Sequence, residues 1–101
     1  MAFRAVLVSE SLPPGEPTAV QVGDEQLCLV RLADEVVAFA DRCPHRGAPL
    51  SEGTLDGAVL TCFRHTWQFD VRTGVPVRLR APDRLDLRAT RERDGCIEVD
   101  A

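Results

Sequence analysis

Two histidines occur in this chain, and each stands close behind a cysteine. His45 follows Cys43 in Cys43-Pro44-His45-Arg46-Gly47, and His65 follows Cys62 in Cys62-Phe63-Arg64-His65. Sixteen residues separate the two pairs. Two thiolates and two neutral imidazoles offered from two short turns make a four-ligand set. A mixed sulfur and nitrogen set suits zinc or an iron–sulfur centre far better than magnesium or calcium, which take oxygen ligands. Pro44 stiffens the first turn and Gly47 admits backbone angles closed to other residues. Loops of this composition also supply backbone N–H donors, which tune an inorganic core held between them.

The elements that must carry these turns read as strands. Apolar residues come in short alternating runs punctuated by Gly, Pro and Asp, and no segment keeps a helical period. Strands are expected over residues 3–8, 18–22, 26–32 and 36–40. Pro13-Pro14-Gly15 is expected to end the first, and turns at 23–25 and 33–35 join the next three into an antiparallel meander. Residues 42–53 break the pattern with two prolines and two glycines and read as a loop. A short strand over 58–61 delivers Cys62, and another over 67–71 is closed by Arg72-Thr73-Gly74. Pro76 and Pro82 bracket an irregular stretch. Residues 85–91 and 96–99 pair as a hairpin around Asp94-Gly95. The expected class is all-β, a sandwich or barrel-like base with an inserted section at about residues 42–82, forming one domain over 1–101.

Composition narrows the function. The chain has 101 residues, 45% of them hydrophobic and 28% charged, in the range of a folded globular domain. A formal net charge of -4 argues against nucleic acid as a partner. No run approaches the roughly 20 apolar residues of a membrane helix, and the first residues do not read as a secretory signal, so a soluble cytoplasmic monomer is expected. A reducing compartment would keep Cys28 and Cys96 as thiols. Cys28 alternates with Val30 and Leu32 and reads as a small core hydrophobe; Cys96 lies on the opposite register to Ile97 and Val99. Trp67 and Phe69 read as packing beneath the ligand loops, and Asp41 and Asp70 as turn or surface residues.

Two longer motifs carry a resemblance. The segment Cys43-Pro44-His45-Arg46-Gly47-Ala48-Pro49-Leu50-Ser51-Glu52-Gly53 resembles the first cluster loop of Rieske proteins. Cys62-Phe63-Arg64-His65-Thr66-Trp67-Gln68-Phe69-Asp70, followed by Thr73-Gly74, resembles the second. The resemblance implies a Rieske-type 2Fe-2S cluster, with Cys43 and Cys62 holding the inner iron and His45 and His65 the outer one. It implies a Rieske-like fold of stacked antiparallel sheets, with the cluster at the tip of a small inserted subdomain.

Departures from the family pattern sort the members. Rieske proteins of cytochrome complexes carry an extra cysteine in each loop, joined as a disulfide; here those positions hold Ala48 and Arg64. They also place Ser and Tyr hydroxyls near the cluster, where this chain has Trp67 and Phe69. Fewer hydrogen bonds to sulfur imply a potential toward the low end of the roughly -150 to +300 mV Rieske range. Arg42, Arg46 and Arg64 act in the opposite sense, weakened by solvent screening. A terminal oxygenase needs a second iron held by two histidines and a carboxylate, and no histidine remains once the cluster is built. The expected role is therefore that of a non-enzymatic, one-electron ferredoxin serving a multicomponent oxygenase. Its partners would be a flavin-containing, NAD(P)H-dependent reductase and a terminal oxygenase, either a ring-hydroxylating dioxygenase or a diiron monooxygenase. Pro44, Pro49 and Trp67 are expected to dock them at the cluster tip, with Arg46 and Arg64 steering an acidic partner patch. Two alternatives stand beside this: a small Rieske subunit of an assimilatory nitrite reductase, and a zinc-stabilised interaction module without redox function. Zinc fingers usually pair Cys with Cys and His with His, unlike the alternation here.

Overall fold

The computed structural model describes residues 2–44, 47–63, 67–77 and 83–100. Among these residues ten strands run in chain order: β1 (Phe3–Val8), β2 (Thr18–Val22), β3 (Glu25–Arg31), β4 (Val36–Ala40), β5 (Thr54–Asp56), β6 (Val59–Thr61), β7 (Gln68–Asp70), β8 (Leu87–Arg88), β9 (Thr90–Arg93) and β10 (Cys96–Asp100). They form three antiparallel sheets, ordered β1-β10-β9, β2-β3-β4-β8 and β5-β6-β7. No helix among the described residues is long and apolar enough to cross a membrane.

The middle sheet is a wall between two cores. Side chains alternate across a strand, and in β3 and β4 both faces are apolar. Leu27, Leu29, Val36 and Ala38 face a lower core shared with Ile97 and Val99 of β10. Cys28, Val30, Val37 and Phe39 face an upper core shared with Leu60 and Phe69 of the third sheet. All five residues of β4 are buried for this reason. The lower core is the expected sandwich base, and the third sheet, with the loops on either side of it, stands on the wall's other face.

The turns follow from local chemistry. Arg93 pairs with Cys96, leaving Asp94-Gly95 as a two-residue connection in which both residues have positive φ, 53° and 78°. That geometry matches the twist of the flanking strands and is tolerated by Asp and Gly. The meander of β2, β3 and β4 is present as expected, with Val22 opposite Glu25 and Arg31 opposite Val36.

Three expectations are corrected. The first strand spans Phe3–Val8 as expected, but what ends it is a 3-10 turn at Ser9–Ser11 rather than Pro13-Pro14-Gly15; there the Arg31 guanidinium donates to the Ser9 and Leu12 carbonyls. The expected single strand over 85–91 is two strands, because the chain changes sheets at Ala89. Leu87 and Arg88 pair with β4, whereas Thr90–Arg93 pairs with β10. Periodicity reveals an extended chain but not its partner. Finally, a 3-10 turn at Leu50–Glu52 inside the first motif and β5 between the two motifs add structure in segments too short to show a period.

Candidate metal centre

Each candidate cysteine opens a loop that its own amide closes. The Cys43 N–H donates to the Ala48 carbonyl at 2.7 Å, and the Cys62 N–H to the Trp67 carbonyl at 2.8 Å. In both cases the acceptor lies five residues further on. The two loops thus share one closure, although one leaves the middle sheet and the other is a hairpin on the third sheet.

The first loop follows β4. Gly47 N–H donates to the Cys43 carbonyl at 2.6 Å and tightens the turn; its φ of +80° is one that glycine adopts without strain. Ala48 and Leu50 then point into the upper core and pin the loop from below. The second loop connects β6 to β7, whose register places Thr61 opposite Gln68. The Gln68 side-chain amide donates to Thr61 Oγ1 at 3.2 Å and braces the hairpin at its neck. Beyond β7, Asp70 Oδ1 accepts from the Arg72 N–H at 2.8 Å and the Asp70 carbonyl from Gly74 at 2.7 Å, which makes Asp70 the turn residue expected.

The loops meet at Gly53. An ideal Cβ there would lie 2.2 Å from the Thr61 carbonyl oxygen. The exit of the first loop therefore rests directly on the strand that delivers Cys62, and only glycine permits that approach. Gly53 stands in the first motif, but nothing in the motif says what it touches.

Cys43 and Cys62 are 1% and 0% exposed and belong to the same upper core. His45 and His65, with Arg46 and Arg64, lie outside the described residues. Trp67 packs against the upper core and its ring centroid lies 6.2 Å from that of Phe69, which is fully buried. Both are packing residues, as expected. Phe63, directly after Cys62, is 48% exposed. Cys28 is buried in the upper core, where desolvation, reinforced by the Asp41 charge, pushes its thiol pKa far up. Cys96 is partly exposed, and neither of these two forms a disulfide.

Asp41 corrects the sequence reading. It is not a surface residue but 7% exposed. Its carboxylate accepts from the Ser51 N–H at 2.7 Å, the Ser51 hydroxyl at 2.6 Å and the Gln26 amide at 2.6 Å. Sequence reasoning missed it because its partners come from β3 and from the far end of the loop; the one available signal was an Asp directly after an unbroken apolar strand.

The donor set fits an iron–sulfur core. A thiolate taken out of water is costly unless something positive binds it, and two cysteines buried in one apolar core would be relieved of that cost by a shared metal centre. The fold and the paired loops define a class: a small all-β metalloprotein with two ligand loops above a double-faced sheet. Its family model, the Rieske [2Fe-2S] domain, matches residues 2–89, and the chain belongs to that family. The family's cofactor is a Rieske 2Fe-2S cluster. The chain is similar to the ferredoxin CarAc of Metapseudomonas resinovorans, 42% identical over 72 residues that cover 70% of this chain and 67% of CarAc. It is 52% identical over 54 residues to the methylxanthine N1-demethylase NdmA of Pseudomonas putida; the match covers 54% of this chain and 15% of that protein's length. Among solved structures it resembles one in a complex of reduced oxygenase and oxidized ferredoxin in carbazole 1,9a-dioxygenase. That match has a TM-score of 0.86 and 34% identity, covering 96% of this chain and 91% of the other.

Proposed function

We propose that this chain is a one-electron carrier. It takes an electron from a flavin-containing, NAD(P)H-dependent reductase and delivers it to a terminal oxygenase, acting as a cytoplasmic monomer. Cys43 and Cys62 hold the inner iron and His45 and His65 the outer one. When bound, the 2Fe-2S cluster supplies reversible storage of a single electron. The protein supplies the rest: Ala48, Leu50 and Phe69 exclude water beneath the loops, and the cysteine amides fix the loop mouths. The observation that carries the reading is the burial of Cys43 and Cys62 in one core at two loops of matching closure. Similarity to ferredoxins over most of their length, one of them in complex with an oxygenase, supports the role and the partner.

The docking face lies at the loop end. Phe63 on the second loop and Val77, whose N–H donates to the Gln68 carbonyl, are exposed and apolar, and with the half-buried Pro44 and Pro49 of the first loop and Trp67 of the second they offer a contact surface. Arg46 and Arg64 steer an acidic partner; reversing their charge slows electron delivery at low salt and has little effect at high salt. Trp67 and Phe69 carry no hydroxyl, so the potential falls toward the lower part of the Rieske range, which protein-film voltammetry reads directly.

The deciding experiment is an EPR spectrum of the dithionite-reduced protein. A rhombic signal averaging below the free-electron value is expected, lost in Cys43→Ser and Cys62→Ser. Protein grown with ample iron that holds zinc, or neither iron nor acid-labile sulfide, overturns the reading.

A further inference from the structure

Asp41 is the one buried charged side chain among the described residues. It stands at the entrance of the first ligand loop, two residues before Cys43, and Ser51 stands near the exit. The carboxylate receives both the N–H and the hydroxyl of Ser51, at 2.7 and 2.6 Å, and so closes the loop across its neck. Gln26 of β3 donates the third bond at 2.6 Å, while the Asp41 N–H returns one to the Gln26 carbonyl at 2.9 Å. The neck is thereby tied to the wall sheet by two bonds to one residue, Gln26. The backbone bond between Cys43 and Ala48 lies within this outer closure.

A buried carboxylate is a costly way to close a loop. Its charge loses hydration, and all three of its hydrogen-bond donors are neutral groups. A loop needing only to be shut would manage with a neutral cap. What a carboxylate adds is strength and direction: charge-assisted bonds are shorter and about twice as strong as neutral ones. Three of them leave the entrance and exit of the loop little freedom to slide relative to each other.

We propose that Asp41 is a positioning residue for the centre: the Asp41–Ser51–Gln26 clasp sets the pose in which the first loop presents Cys43 to the metal. The inference rests on the ligand assignment above. It concerns the loop carrying the ligands, not the ligands or the partners.

The test uses iron-loaded protein and two readouts that mere loss of folding stability does not move. One is the EPR line shape of the reduced protein; the other is the rate at which the oxidised protein releases iron to a chelator at a temperature well below unfolding. Asp41→Ala shifts and broadens the EPR signal and speeds release about tenfold, the equivalent of losing one strong buried hydrogen bond. Asp41→Asn restores the line shape and brings release to within about twofold of the parent. The Asn Oδ1 still accepts from the Ser51 N–H, Nδ2 donates to the Ser51 hydroxyl oxygen, and Gln26 turns its amide to accept. Ser51→Ala, which removes one bond of the three, falls between parent and Asp41→Ala. The proposal is overturned if Asp41→Ala keeps the parent's line shape and release rate, whatever its melting temperature. Should Asp41→Ala not accumulate as folded protein, parent-like readouts in Ser51→Ala overturn it instead. An iron-free parent overturns the ligand assignment and this inference together, whereas a loaded parent with unaltered variants overturns this inference alone.

Discussion

Gly53→Ala tests how the two ligand loops are held at their distance. The φ of Gly53 is -81°, which any residue adopts, so no penalty arises from the backbone angle. The penalty is contact. The added Cβ falls 2.2 Å from the Thr61 carbonyl oxygen and 3.2 Å from that of Leu50. Reaching an ordinary separation of about 3.5 Å requires the loop exit and β6 to part by about 1.3 Å, the difference from the 2.2 Å contact. Neither neighbour is a flexible side-chain end that can swing away. Overpacking of this kind costs about 1–3 kcal/mol, and a value near 2.5 is expected because both neighbours are backbone. In a domain with about 5–15 kcal/mol in total, that lowers Tm by about 10–20 °C. Thr61 directly precedes Cys62, so the displacement also reaches the centre and alters the visible circular dichroism of the loaded protein. Calorimetry and visible circular dichroism on the parent, Gly53→Ala and the neighbouring exposed Thr54→Ala supply the comparison. A Tm within about 2 °C of the parent and an unchanged visible spectrum refute the reasoning that glycine is required for this approach.

Cys28 stays un-alkylated by iodoacetamide in the folded protein at pH 8 while Cys96 reacts, and mass spectrometry of the digested adducts distinguishes them. Burial raises the Cys28 pKa above the ordinary thiol value of 9.0, so the folded state holds the proton longer than the unfolded chain does. Its contribution to stability is therefore full below about pH 9 and declines as pH rises further, and Cys28→Ala flattens that alkaline slope in denaturant titrations. Gly95→Ala places a Cβ at a φ of +78° and costs about 1 kcal/mol, read as a lower denaturation midpoint with unchanged m-value. His45→Cys, replacing a neutral ligand by a thiolate, keeps a cluster of lower potential; an unchanged potential contradicts the ligand assignment.

The two cysteine–histidine pairs could be singled out as ligand candidates because they are local: two residues of the right chemistry on one short stretch stand out by spacing. The hairpin at Asp94-Gly95 was legible for the same reason, its positive φ values being written in the residue types. What escaped depends on partners distant in sequence. Asp41 reads as a turn residue until Gln26 and Ser51 are placed around it. Thr54-Leu55-Asp56 is too short to show alternation and becomes a strand by lying beside β6. The change of sheet at Ala89 leaves no trace in the pattern, because an extended chain looks alike on either partner. His45 and His65, named from the sequence, lie outside the described residues.

The double-faced wall gives the molecule a rule of parity. On β4, the odd-numbered Val37 and Phe39 look toward the metal loops and the even-numbered Val36 and Ala38 away from them; on β3 the parity reverses. A library varying Leu27, Leu29, Val36 and Ala38 would retune thermal robustness while leaving the redox end chemically untouched. The complementary library would do the opposite, so a single strand offers two separate dials to anyone adapting this scaffold.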